Sequence, residues 1–233
     1  MSASVKQNGK VSIGTDRRMF GANLNFSAKE AYKLLRTNLE FSLADVTGCR
    51  VIGVTSSMRG EGKSLTALNL SYSVAESGKR VLLIEGDMRL PTLTKQLQLH
   101  VTENIGLSDV IADAGMRTIP IRKYTMKTKE DSEVCFSILT SGSVPPNPSE
   151  LLGSERMKQL LSALRESYDY IVLDLPPVLA VTDALVGSKI VDGVIMVVRC
   201  DYADKGALQD AIRQLRYAGG AHTGLRCELC KSG

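Results

Sequence analysis

The chain has 233 residues, with 29 basic and 25 acidic side chains for a formal net charge of +4, 43% hydrophobic residues, 5% aromatic residues and no Trp. That composition fits one sizeable core and excludes a disordered chain; it also argues against a dense basic nucleic-acid face and an aromatic base-stacking platform. No apolar run approaches the roughly 18 residues of a membrane span, and the start, MSASVKQNGK, lacks the apolar stretch of a signal peptide, so the expectation is a soluble cytoplasmic chain with no nucleic-acid partner and no direct membrane span.

Residues 1–26 mix Gly, Ser, Asn and basic residues without period and are expected to form a flexible N-terminal arm. Ser27, with Glu30 three residues on, reads as a capping box, and Ala31, Leu34, Leu35, Asn38, Leu39 and Ser42 carry a helical period over 28–44. RVIGVTSS reads as a buried strand, followed by a glycine-rich turn and a helix from Lys63 that stops at Gly78. RVLLIEGD is a second buried strand, 103–114 holds a short helix, and FSILTSG is a third strand. Pro145, Pro146 and Pro148 mark a loop, after which come a helix over 149–166, the strand DYIVLDLPP, a helix over 181–190, the strand DGVIMVVRC and a helix over 203–218. Nearly all-apolar strands alternating with helices predict an α/β fold, a parallel β-sheet sandwiched by helices in three layers. Ligands of such sheets lie beyond the carboxyl ends of the strands, here after Thr55, Ile84 and Leu173. Cys49, Cys135 and Cys200 sit in apolar surroundings and read as reduced core thiols. The lone Cys227-x-x-Cys230 has no second pair or nearby His and is too weak a pattern for a metal site.

The segment Ser57-Met58-Arg59-Gly60-Glu61-Gly62-Lys63-Ser64-Leu65 follows the first strand. It departs from G-x-x-x-x-G-K-[ST] only in its first residue. Gly60 and Gly62 allow a tight loop whose N–H groups face phosphate oxygens, Lys63 adds charge at the β/γ-phosphates, and the Ser64 hydroxyl suits Mg²⁺. A glycine turn before an ordinary helix would share the spacing, but not its place between a buried strand and a strong helix. Such a loop needs a carboxylate for the metal. Asp174 ends the strand Ile171-Val172-Leu173 as hhhDxxP, and Glu85 and Asp87 end the second strand on alternate positions, expected to converge with Asp174 and Ser64.

These residues resemble the bacterial tyrosine kinases of capsule and exopolysaccharide synthesis, from about Ala28 to Gly220, through SSMRGEGKS, hhhhExDxR at 81–89 and hhhDxxP at 171–177. The resemblance implies a P-loop NTPase-like domain over 27–220 that autophosphorylates on tyrosine with ATP and Mg²⁺. It implies catalytic positions at Lys63, Asp87, Asp174 and Glu85, and metal positions at Ser64, Asp87 and Asp174. Glu85 stands where the family usually has Asp, so Glu85→Asp is expected to preserve or raise activity. The family's subunit-contact helix, E-x-x-R-x-x-R-x-N, appears as Glu30, Lys33, Arg36 and Asn38, implying a homo-oligomer through the 28–44 helix. The family's split form implies a membrane-anchored activator that recruits the kinase to the inner face of the membrane, and protein tyrosines as substrates. Two alternatives remain open: a partition or Min-type ATPase, whose signature Lys is replaced here by Met58, and a catalytically impaired nucleotide-binding subunit.

Residues 221–233 depart from the family, which continues with a buried strand and a tyrosine-rich tail. No apolar strand is expected here, and no tyrosine follows Tyr217. Codon degeneracy permits the shifted reading L-G-F-V-V-N-C-A-K-V for this stretch, so an atypical, frameshifted tail is one expectation.

Overall fold

The structure, a computed structural model, describes residues 10–12, 20–97, 99, 104–113, 115, 118–128, 132–219 and 226–230. One sheet contains β1 (Lys10–Ser12), β2 (Arg50–Ser56), β3 (Val81–Glu85), β4 (Arg122–Lys127), β5 (Glu133–Leu139), β6 (Tyr170–Asp174), β7 (Gly193–Arg199) and β8 (Arg226–Cys230). Their order is β1-β4-β5-β3-β6-β2-β7-β8. Every pairing is parallel except β4 with β5. The helices are α1 (Phe26–Ser42), α2 (Lys63–Glu76), α3 (Leu93–Gln96), α4 (Leu107–Ala112), α5 (Pro148–Gly153), α6 (Glu155–Arg165), α7 (Asp183–Gly187) and α8 (Lys205–Tyr217).

The three layers follow from strand alternation, which sends successive side chains to opposite faces. Ile52, Val54, Leu83, Val172, Ile195 and Val197 pack with α1 and α2 in one buried cluster. Their neighbours Val51, Leu82, Ile84, Ile171, Leu173 and Met196 pack with α4 to α8 in another. Both faces are dry, so the central strands are apolar throughout, as a parallel sheet between helices requires.

Several expectations are corrected. Residues 20–24 are not a loose arm: Phe20, Ala22 and Leu24 are buried, and the Phe20 ring meets Tyr72 and Tyr124 at 6.1 and 5.9 Å between centroids. β1 adds residues 10–12 to the sheet edge beside β4; residues 1–9 and 13–19 of the expected arm lie outside the described part. The N-cap of α1 is Asn25, whose Oδ1 accepts from the Ala28 N–H at 2.8 Å, rather than Ser27. The helix expected over 149–166 breaks at Ser154, whose hydroxyl caps α6 by accepting from the Met157 N–H at 3.2 Å. A strand does form in the tail: β8 pairs with β7 from Ile195↔Arg226 to Arg199↔Cys230. Edge pairing is carried by backbone amides and carbonyls, so it does not need the apolar run whose absence argued against a strand here. Of the cysteines read as core thiols, Cys49 is buried, Cys200 partly so, and Cys135 is exposed, because alternation along β5 turns it outward. The side chains of Cys227 and Cys230 lie outside the described part.

The topology fixes where chemistry can occur. β6 lies between β2 and β3, with Val54↔Asp174 and Glu85↔Asp174 in register. The chain leaves β2 toward one side and reaches β7 on the other, so the ends of β2, β3 and β6 open onto one crevice.

Candidate active site

The loop after β2 turns through Gly60 (φ +84°) and Gly62 (φ +93°), both left-handed, which favours glycine at each. Ser57 occupies the position usually held by glycine, and Glu61 accounts for it. The Glu61 carboxylate accepts the Ser57 hydroxyl at 2.8 Å and the N–H groups of Ser57 and Met58 at 2.9 and 3.3 Å. Glu61 is 3% exposed, an internal brace for the first half of the loop that the sequence reading missed. An acid four residues after the substituted serine is the signal that would have found it. α2 then starts at Lys63, with its N-terminus facing the loop.

Lys63, Asp87, Asp174 and Ser64 come together. Lys63 Nζ lies 3.0 Å from Oδ2 of Asp87 and 3.6 Å from Oδ1 of Asp174, and it donates to the Ser64 hydroxyl at 3.2 Å. Burial presses the Lys63 ammonium toward neutrality, but Asp174 and Asp87 outweigh it and raise its pKa. Oδ1 of Asp87 accepts from the Leu90 N–H at 3.1 Å. Asp174 is 1% exposed, and neither of its oxygens has a hydrogen bond. Burial pushes its pKa up to about 6, against the opposing pull of Lys63. Two orphaned buried carboxylate oxygens beside a hydroxyl and a second carboxylate fit a hard divalent cation such as Mg²⁺. The adjoining cleft, about 320 Å³, is lined by Arg59, Gly60, Lys63, Ser64, Asp87 and Thr92 among others.

Glu85 does not do what its place beside Asp174 predicts. Its Oε1 accepts the N–H groups of Thr92 and Leu93, each at 2.7 Å, and its Oε2 accepts that of Ser141 at 3.1 Å. It is fully buried. The carboxylate is engaged by backbone amides rather than by Lys63 or Ser64, because the loops after β3 and β5 fold back over the end of the strand.

The Arg89 guanidinium forms a two-pronged pair with Asp183 of α7, Nε to Oδ2 at 2.8 Å and Nη2 to Oδ1 at 3.0 Å. The Ser149 hydroxyl donates to the same buried carboxylate. The sequence carries no signal for this role of Asp183, since an acid in the first turn of a helix looks like an ordinary dipole partner. At the end of β7 Arg199 donates to the Gly60 carbonyl at 3.4 Å, and in the turn after it Tyr202 donates to the Arg59 carbonyl at 3.3 Å, resting this segment on the outside of the phosphate loop.

The α1 residues lie away from this cluster. Glu30 and Lys33 pair at 2.8 Å on the exposed face. Arg36 donates to the Ser73 carbonyl of α2 at 2.5 Å, and the Asn38 carbonyl accepts from Ser42. Phe26, Leu34 and Phe41 of α1 are 80, 60 and 75% exposed.

A family model described as an AAA domain matches residues 49–220. The chain is 38% identical over 178 residues to the tyrosine-protein kinase YwqD of Bacillus subtilis, covering 76% of this chain and 70% of that one. It is 33% identical over 191 residues to the putative tyrosine-protein kinase CapB of Staphylococcus aureus, covering 82% and 79%. Its fold matches the kinase domain of the Escherichia coli tyrosine kinase ETK with a TM-score of 0.70 at 29% identity, over 87% of this chain and 74% of that one.

Proposed function

The chain belongs to the bacterial tyrosine-protein kinases, and from that premise we propose that it transfers the γ-phosphoryl group of Mg-ATP to protein tyrosine, in capsule or exopolysaccharide synthesis. The observation that carries this reading is the cluster of Lys63, Ser64, Asp87 and Asp174 at the mouth of the phosphate loop, with both oxygens of Asp174 buried and unbonded.

The loop N–H groups and Lys63 hold the phosphates. Ser64, Asp87 and Asp174 would hold Mg²⁺, which when bound neutralises charge on the transferring group. Asp87, at the cleft wall, also orients the attacking hydroxyl. The phenolic oxygen bonds to the γ-phosphorus as the bond to the bridging oxygen breaks, ADP leaves, and the phenolic proton passes to a carboxylate. Positioning and electrostatics do most of the work in such transfers. Lys63 exchanges its carboxylate contacts for phosphate oxygens as the nucleotide enters.

Phe26, Leu34 and Phe41 leave α1 with exposed apolar side chains beside the Glu30–Lys33 pair, which suits contact with a second copy. No helix among the described residues is long and apolar enough to cross a membrane; an anchored activator would bring the kinase to the inner face of the membrane.

The test is incubation with ATP, Mg²⁺, the cognate activator and a Glu/Tyr copolymer, with phosphotyrosine read by mass spectrometry. Phosphotyrosine that requires Mg²⁺ supports the reading; a folded protein that binds ATP and hydrolyses it without ever modifying tyrosine contradicts it and favours a partition-type ATPase.

A further inference from the structure

We infer that Glu85 is a positioning residue that clamps two active-site loops, not the base of the reaction. The inference rests on the kinase reading above but concerns a residue of this chain that departs from its family.

A carboxylate that is to take a proton from a phenol must present a free lone pair to the cleft. Glu85 presents its oxygens elsewhere. Oε1 accepts from two successive amides, Thr92 and Leu93, the first donors of α3. Oε2 accepts from Ser141, in the loop after β5. That second loop is held again from α4, where Asp109 Oδ2 accepts the N–H groups of Gly106 and Ser143 at 2.8 and 3.2 Å. One buried side chain thus joins the loop carrying Asp87 to the loop at the end of β5.

The consequence reaches the cleft directly. Leu90, Thr92 and Gln96 line it, together with Asp87. Between Glu85 and Thr92 the chain is also pinned by Leu90 N–H on Asp87 and by the Arg89–Asp183 pair. Loss of the Glu85 contacts frees the far end of this segment and with it the wall that faces the nucleotide. Aspartate, shorter by one carbon–carbon bond of about 1.5 Å, cannot reach all three amides from the same strand position. The extra methylene of glutamate is therefore what these loops require, and Glu85→Asp is expected to weaken the site, against the expectation from family resemblance.

The test compares Glu85→Gln, Glu85→Asp and Glu85→Ala with the unaltered chain. The readouts are kcat and KM for Mg-ATP on the Glu/Tyr copolymer, Mg-ADP affinity by calorimetry, and amide hydrogen exchange at 92–93 and 141. Glu85→Gln keeps one acceptor oxygen at the same reach, for Thr92 and Leu93, but turns an NH2 donor toward the Ser141 N–H. It should therefore release one loop only, with faster exchange at 141, KM raised less than in Glu85→Ala and kcat within about threefold, whereas loss of a general base costs about 100-fold or more. Glu85→Ala should weaken Mg-ADP and raise KM by about tenfold, the scale of a lost charge-assisted hydrogen bond, with faster exchange at all three amides; Glu85→Asp should fall between. A 100-fold loss of kcat in Glu85→Gln, at unchanged KM and affinity, would identify a base and overturn the inference. So would unchanged exchange and affinity in Glu85→Ala; if that variant does not fold, Glu85→Asp supplies the same readout. An unaltered chain that binds Mg-ADP but makes no phosphotyrosine with the cognate activator present refutes the kinase reading instead, and the exchange data still decide the clamp.

Discussion

Oδ1 of Asp174 lies 3.6 Å from Nζ of Lys63, close enough to share its field and too far for a normal hydrogen bond. The site is therefore electrostatically tense: a buried carboxylate sits among charges with no donor at hydrogen-bonding distance, an arrangement that costs stability and suits a cation.

Asp174→Asn should abolish Mg²⁺-dependent phosphorylation while making the nucleotide-free protein more stable. The folded-state pKa of Asp174 is raised from 3.8 to about 6. The folded chain thus holds a proton that the unfolded chain releases, and stability falls as pH rises from near 4 to near 6. Asparagine removes that loss, so the variant's advantage should be absent below pH 4 and full above pH 6, at most about 3 kcal/mol for a shift of this size. Urea unfolding at pH 4 and pH 7 measures it. A variant less stable than the unaltered chain at pH 7 would make Asp174 a structural residue.

Arg89→Ala should leave the Asp183 carboxylate, which is fully buried, with only the Ser149 hydroxyl as a side-chain donor among those described here. The expected loss is about 2 kcal/mol, below the roughly 3–5 kcal/mol of a fully buried pair, because Arg89 is 39% exposed. Asp183→Asn in the Arg89→Ala background should recover part of it, as a double-mutant cycle by denaturant unfolding would report. Additive losses would mean that the pair does not couple.

Self-phosphorylation should be confined to Tyr202 and Tyr217. They are 56 and 83% exposed, whereas Tyr32, Tyr72, Tyr124, Tyr168 and Tyr170 are 8, 3, 3, 6 and 2% exposed. A buried phenol cannot enter another copy's cleft without unfolding. Peptide mapping after incubation with Mg-ATP checks this, and phosphate on Tyr124 or Tyr170 of a folded protein would contradict it.

The central architecture was legible in the chain because its signals are local and strong. Val81 to Ile84 and Ile171 to Leu173 are apolar at every position, which only strands covered on both faces require, and Lys63-Ser64 follows a strand and opens a helix. β4 was missed because Arg122-Lys123-Tyr124-Thr125-Met126-Lys127 is half polar, as an antiparallel strand near the sheet edge permits. Phe20 to Leu24 looked like an arm because its partners, Tyr72 and Tyr124, are distant in sequence. The site's charged contacts at Lys63, Asp87 and Asp174 follow from strand ends, which period and register reveal. The turn of Glu85 toward Thr92, Leu93 and Ser141 was invisible, since it depends on where two loops place their amides, and loop paths leave no period in a sequence.

The most direct test is phosphotyrosine formation from Mg-ATP by the unaltered chain and by Lys63→Met, with the cognate activator present and ATP affinity measured in parallel. The unaltered chain should make Mg²⁺-dependent phosphotyrosine; Lys63→Met, lacking the cation 3.0 Å from Asp87, should make none and bind ATP at least about tenfold more weakly. Unchanged ATP affinity and undiminished phosphotyrosine in Lys63→Met would contradict the assignment of this cluster as the phosphoryl-transfer site.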